Sequence, residues 1–369
     1  MNPSLAEIVT NREVVVCTGT GGVGKTTAAA TIAIEGARQG QKAVVVTIDP
    51  ARRLADALGI ERQIGPDGRA TAGLGNEASI IDGPWTGELW ATMLDTRSTF
   101  DGLVARHAES PAQADQILAN PFYRNISAAL SGTQEYMAME RLHTLHDTGD
   151  YDLIVVDTPP SRNALDFLEA PNQLARFLDH PVYRMLTAPG RGVMRVVNVA
   201  AQTMLRTTGK LVGSGVLDDT IDFFRAFEGL EEGFRGRSLE VLALLESPRT
   251  AFVLVASPRA DTVAEAGWFA EKLGQAAIEV DALVVNRMLP RFGSARAVAA
   301  ALAHGTESSA ERRANLAQLE AVALSEDSHL ERLAESMAPA PVVRVPELSS
   351  DVHDIEGLIE VGGYLFGRR

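Results

Sequence analysis

The chain is nearly devoid of cysteine: Cys17 is the single one in 369 residues. One thiol can close no internal disulfide and build no Cys-x-x-Cys metal clip, so a disulfide scaffold and a paired-cysteine zinc site are both excluded. Cys17 falls inside an apolar run that reads as a buried strand, where a structural thiol is expected. Long hydrophobic runs are missing as well. None approaches the roughly 18 apolar residues of a membrane span, and the opening MNPSLAEIVTNRE has no basic segment leading into an apolar one, so the chain reads as cytoplasmic. Positive charge is in deficit. With 34 Lys and Arg against 48 Asp and Glu, the net charge is −14, which disfavours affinity for nucleic acid across the whole surface.

What is present is a globular composition, 46% hydrophobic and 22% charged, with a mean hydropathy of +0.01. The length suits one large α/β domain with insertions or two ordinary domains. Short β-branched runs alternate with helical stretches: EVVVCT (13–18), KAVVVTID (42–49), ELWATML (88–94), YDLIVVD (151–157), AFVLVAS (251–257), ALVVN (282–286) and PVVRV (341–345). Most are apolar throughout, as strands covered on both faces are. The expected fold is therefore a doubly wound, mainly parallel α/β sheet. The intervals 97–148 and 162–248 carry helix-period patterns such as ISAALSGTQEYMAMERLHTLH and no strand-like run. Connections that long are rarely structureless, so they read as an inserted helical subdomain. The Ala-rich, charged interval 291–340 reads as solvated helices, and no internal repeat is evident.

The chemistry is concentrated in GTGGVGKTT, from Gly19 to Thr27. It follows a strand and opens the amphipathic segment TTAAATIAIEGARQG, for which Gly40 is the expected stop. Glycines at Gly21, Gly22 and Gly24, with Val23 between them, let backbone N–H groups turn toward phosphates, and the helix N-terminus adds positive potential. In this reading Lys25 reaches the β- and γ-phosphates, Thr26 ligates Mg²⁺ and Thr27 touches the α-phosphate. The alternative is a glycine-rich turn that binds nothing. Two carboxylates, Asp49 and Asp157, end predicted strands on the ligand side of such a sheet. Asp157 reads as the acid that holds Mg²⁺ through water, and Asp49 as the group that positions the attacking water. Helix capping is the plainer role for either.

Taken together, these motifs resemble the arsenite-pump and tail-anchored-protein-targeting ATPases, within the SIMIBI class of dimerising P-loop proteins. GTGGVGKTT is similar to that family's phosphate loop, DPARRLADALG to its switch I and DTPPSRNALDFL to its switch II. LWATMLDTRSTFD, FVLVASPRADTVAEAGWFAEKL, ALVVNRML and RVPELSSDVHDIEGLIEVGGYL follow in the family's order. The resemblance implies that 1–369 form a single P-loop ATPase domain carrying the helical insertions. It also implies an ATP- and Mg²⁺-dependent dimer in which Asn286 reads the adenine edge with Pro346 nearby; a strand-end turn is the alternative for Asn286.

Departures from the family pattern are equally specific. Its intermonomer lysine is Thr20 here, and Ser161, Arg162 and Asn163 replace a Thr-Gly-His in switch II. Neither the dimer-interface zinc clip nor a three-cysteine arsenite site can form. Three readings answer Thr20: a lysine-bearing related subunit supplies the charge in a heterodimer, Arg52 or Arg53 supplies it from switch I, or the chain is a slow ATP switch; homodimer and heterodimer both stay open. Between Pro171 and Gly215, six basic residues against Asp179 give a local +5 interleaved with apolar and Met positions. That segment suits a client helix or a peripheral membrane surface, or else the ordinary basic face of packed helices. His143 and His146 share a predicted helix face without a third ligand, and the EVGGYLFG glycines read as helix packing or termination. A catalytically weak ATP-gated interaction module and a DNA-partitioning ATPase are the competing functional readings.

Overall fold

The computed structural model describes residues 3–48, 53–60, 63–64, 70–71, 74, 76–121, 123, 133–158, 223, 226, 230–290 and 309–368. The first half runs α1 (Leu5–Asn11), β1 (Val14–Gly19), α2 (Lys25–Arg38), β2 (Lys42–Thr47), α3 (Arg53–Ala57), β3 (Gln63–Ile64), β4 (Ala70–Thr71), β5 (Ser79–Ile81) and β6 (Glu88–Met93). The helices α4 (Thr96–His107), α5 (Pro111–Ala119) and α6 (Thr133–Thr148) come next, then β7 (Leu153–Asp157). The rest comprises α7 (Leu230–Leu245), β8 (Thr250–Ala256), α8 (Ala260–Gln275), β9 (Ala282–Met288), α9 (Ser309–Ser336), β10 (Val342–Pro346) and α10 (Ile355–Leu365).

Eight strands form one sheet in the order β10-β9-β8-β1-β7-β2-β6-β5. Every pairing is parallel except β5 with β6. All seven strands expected from the sequence are in it. β5 is an antiparallel edge that SII gave no reason to expect, since three residues carry too little alternation to register. β3 and β4 pair separately as a two-stranded ribbon.

The central strand β1 is buried along its whole length, which explains why VVVCTG alternates so little. One face of it, Val15 and Cys17, joins Val45, Val155 and Val253 beneath α2. Alanines at 28, 29, 33 and 37 let α2 approach the sheet closely, and all four are at least 96% buried. Gln41 N–H reaches the Gly36 carbonyl and Gly40 N–H the Ala37 carbonyl, each at 3.1 Å. With Gly40 at φ 89, this is a Schellman stop where the sequence placed it. On its outer side α2 is covered by α10, where Gly362 lies against Thr31. Glu35, 5% exposed within α2, is held there by a two-pronged ion pair with Arg368 at 2.6 and 2.9 Å.

The chain separates into two compact units. The first, Met1–Leu94, Thr144–Leu165 and Leu245–Arg369, contains the sheet. The second, Asp95–His143 and Asp166–Leu244, is helical in its described residues. Tyr123 stacks on Phe223 in that unit's core with centroids 6.2 Å apart. A buried pair, Arg237 and Glu140, joins α7 to α6 through contacts of 3.0 and 3.1 Å, and Arg106 on α4 adds one of 3.4 Å. His143 is buried here near Glu240, whereas His146 bonds Glu13 at 2.8 Å in the other unit. The two histidines thus serve different carboxylates, and the described residues hold no metal cluster. Among the described residues no helix is long and apolar enough to cross a membrane.

Candidate functional site

The order of strands places the site. From β1 the chain moves by α2 to β2, while β8 lies on the other flank of β1, so the crevice at the carboxyl end of β1 is a topological switch point. A cleft of about 780 Å³ opens there. It is lined by Gly22, Gly24, Lys25, Thr26 and Thr27 at one end and by Asn286, Arg287 and the 345–353 segment toward the other.

Three glycines of the loop have positive φ, and two of them are also hemmed in by their neighbours. Gly19 has φ 147 where a Cβ would run into the Val255 carbonyl of the neighbouring strand. Gly24 has φ 97 as the N-cap of α2, and a Cβ there would strike the Asn286 side chain. Gly21 and Gly22 are exposed, whereas Val23 is 1% exposed and anchors the loop in the core. Lys25 is 6% exposed, and its Nζ donates to the Thr20 carbonyl at 2.8 Å, which holds the ammonium across the loop.

Beneath the loop lies Asp157, 1% exposed at the end of β7. Its Oδ2 accepts from Thr26 Oγ1 at 2.8 Å and from Thr47 Oγ1 at 2.9 Å. Register explains the second contact, because Thr47 and Asp157 are direct partners across β2 and β7. Thr47 was not among the residues expected from the sequence, because its contact follows from cross-strand register. Thr158 was also missed: it lines the cleft and donates to the Cys17 carbonyl at 2.8 Å. Cys17 itself is a core residue. Burial and then the nearby Asp157 push its thiol far above its usual range, so it is an inert group beside the site.

At the opposite end Asn286 Nδ2 donates to the Val23 carbonyl at 2.9 Å, and its Oδ1 accepts from the Arg287 N–H at 2.9 Å. The carboxamide keeps one N–H and one lone pair for another partner. Pro346, at the end of β10, is paired in register with Met288 and lines the same cleft. Arg53, at the start of α3, lines it as well. Asp49, Arg52, the Ser161–Arg162–Asn163 substitutions and the basic 171–215 segment lie outside the described residues.

The donor set fits Mg²⁺ with a triphosphate. A hydroxyl and a carboxylate oxygen 2.8 Å apart are hard oxygen ligands of the kind Mg²⁺ takes. A buried ammonium and a glycine-shaped helix N-terminus stand beside them to receive phosphate.

A family model described as Anion-transporting ATPase matches residues 12–367. Relatives named ATPase GET3 include one from Chaetomium globosum, 27% identical over 298 residues covering 80% of this chain and 79% of the relative. The one from Neurospora crassa is 26% identical with the same coverage. That from Aspergillus terreus is 27% identical over 301 residues, 80% of this chain and 79% of its own. With a family model matching nearly its whole length and relatives named as ATPases, this chain belongs to the Anion-transporting ATPase family and hydrolyses ATP.

Proposed function

We propose that this ATPase is a Mg²⁺-dependent dimeric switch in which the nucleotide state of the sheet unit governs a helical unit that binds a client or partner. The observation that carries it is the Thr26–Asp157–Thr47 cluster directly beneath the Lys25 loop. Lys25 and the loop amides would hold phosphate charge, Thr26 Oγ1 would ligate the metal, and Asp157 would hold it through water. Mg²⁺ held there would supply charge neutralisation to phosphoryl transfer. Asp49 positions the water, Thr27 contacts the α-phosphate, and Asn286 with Pro346 holds the base. Chain order supports coupling, because the helical segments enter directly before β7 and follow it, on either side of Asp157.

The test is steady-state ATP hydrolysis with Mg²⁺ titrated from zero. Lys25→Ala should abolish turnover by roughly two orders of magnitude or more, given what positioned cations contribute at such sites. Full activity in that variant, or turnover indifferent to Mg²⁺, would refute the assignment. Thr20 favours one second reading, an ATP-gated interaction module with little turnover, since its side chain carries no cation to a neighbouring site. Strong stimulation by a lysine-bearing related subunit supports the enzyme, and its absence supports the module.

A further inference from the structure

Arg287 has no place in the chemistry described so far, yet it is the most unusual residue in the cleft. It is one of two non-glycine residues with positive φ among those described, at φ 61. The cost of placing a Cβ in the left-handed region persists where the surroundings enforce it, and such residues cluster at ligand sites. Two features enforce it here. The Arg287 N–H is held by Asn286 Oδ1 at 2.9 Å, and the following residue, Met288, is 9% exposed and hydrogen-bonded through its carbonyl to Glu347 N–H at 2.7 Å.

The strained corner leaves the Arg287 side chain exposed and lining the cleft. Its guanidinium makes no hydrogen bond or ion pair among the described residues, although Glu347 and Asp351 line the same cleft. Across from the polar loop, this end of the cleft also presents the apolar surfaces of Pro346, Leu348 and Val352. A planar guanidinium and an apolar wall at one end of a cleft whose other end binds phosphate suit the two faces of a flat aromatic ring.

We propose that Arg287 is a base-clamping residue: its guanidinium lies on one face of the nucleotide's purine, with the Pro346–Val352 wall on the other. The same corner pre-orients the reading edge. With its Oδ1 on the Arg287 N–H and its Nδ2 on the Val23 carbonyl, the Asn286 amide has a fixed direction, so donor and acceptor are presented to the base in one order. The inference rests on the reading of Asn286 and Pro346 as the base end of the cleft.

The experiment compares Mg²⁺-ATP with Mg²⁺-tripolyphosphate, which keeps the phosphates and lacks the base, by calorimetric titration of the full chain. Arg287→Gly is the informative variant, because glycine adopts positive φ without penalty and the fold is spared. It should weaken ATP roughly three- to tenfold, the range of a cation–π contact, and leave tripolyphosphate unchanged. Arg287→Lys should recover only part of the loss, since an ammonium cannot stack as a plane. Unchanged ATP affinity in Arg287→Gly, or equal weakening of both ligands, would overturn the clamp and leave the phosphate-site reading intact. A wild type that binds ATP no more tightly than tripolyphosphate would overturn the base-end reading along with it.

Discussion

Thr47 and Arg368 show how single side chains hold this site from outside it. Thr47 Oγ1 is 2.9 Å from the Asp157 oxygen that also takes the Thr26 hydroxyl, so one carboxylate is fixed from a strand, β2, and from the helix α2. Thr47→Val keeps the shape and deletes that bond. The expected result is a kcat lowered about tenfold, in the range typical of lost supporting hydrogen bonds, with a higher Mg²⁺ requirement and an unchanged melting temperature. Steady-state kinetics across a Mg²⁺ series reads both effects. Arg368 acts on stability instead. Its partner Glu35 is a carboxylate inside α2, the helix that begins with Lys25, and without the guanidinium it would be left buried with only the 3.3 Å hydrogen bond from Gln39 Nε2. Because Arg368 is 42% exposed, solvent offsets part of the loss, and Arg368→Ala should cost about 1–3 kcal/mol in urea denaturation.

Among the elements, the helices α4, α6 and α7 make a second argument. Their shared core is polar at its centre, where Arg237 and Arg106 meet Glu140 and where His107 lies close to Gly233. Burial first, and then Arg106 and Arg237, lower the His107 pKa, with Glu240 opposing. A histidine whose folded pKa is depressed contributes stability above its unfolded value, near 6.5, and that stability is lost as pH falls below it. Acidification from pH 7 toward pH 5 should therefore accelerate amide exchange in α4 and α7, as read by mass spectrometry. His107→Gln should remove most of the dependence. None of this was legible in the sequence: ERLHTLHD offered a histidine pair at helical spacing, while the partners that matter arrive from α7, about a hundred residues later. The strands were legible for the opposite reason. A parallel strand buried on both faces, such as VVVCTG, is written as a continuous apolar run and needs no distant partner to be recognised. The glycine-rich loop was equally local, since glycines, lysine and threonine are contiguous. Thr47 and Arg287 escaped because their roles depend on register across β2 and β7 and on a backbone angle, neither of which composition encodes.

At the scale of the whole molecule, the question is what one chain does without a second cation at its phosphate loop. The loop is complete on its own side: Lys25 is buried and bonded, Thr26 and Asp157 are in contact, and the N-cap glycine has the required φ. Thr20 contributes its backbone carbonyl to Lys25, a contact that does not use its side chain. Replacing Thr20 with lysine should therefore leave ATP affinity and the fold intact. What changes is the charge offered to another subunit, and a cation acting in trans on a transferring phosphoryl group is worth roughly 10³ to 10⁵ in rate. If the chain pairs with itself, Thr20→Lys should raise kcat at least tenfold and make specific activity depend on protein concentration through the dimerisation range. If it pairs with a lysine-bearing relative, Thr20→Lys alone should do little, and the wild type mixed with that relative should turn over far faster than either alone. Should the isolated wild type already turn over rapidly, with a rate independent of its concentration, the trans-acting charge is unnecessary and a cation of this chain must supply it. Arg53, which lines the cleft from α3, is then the residue to remove.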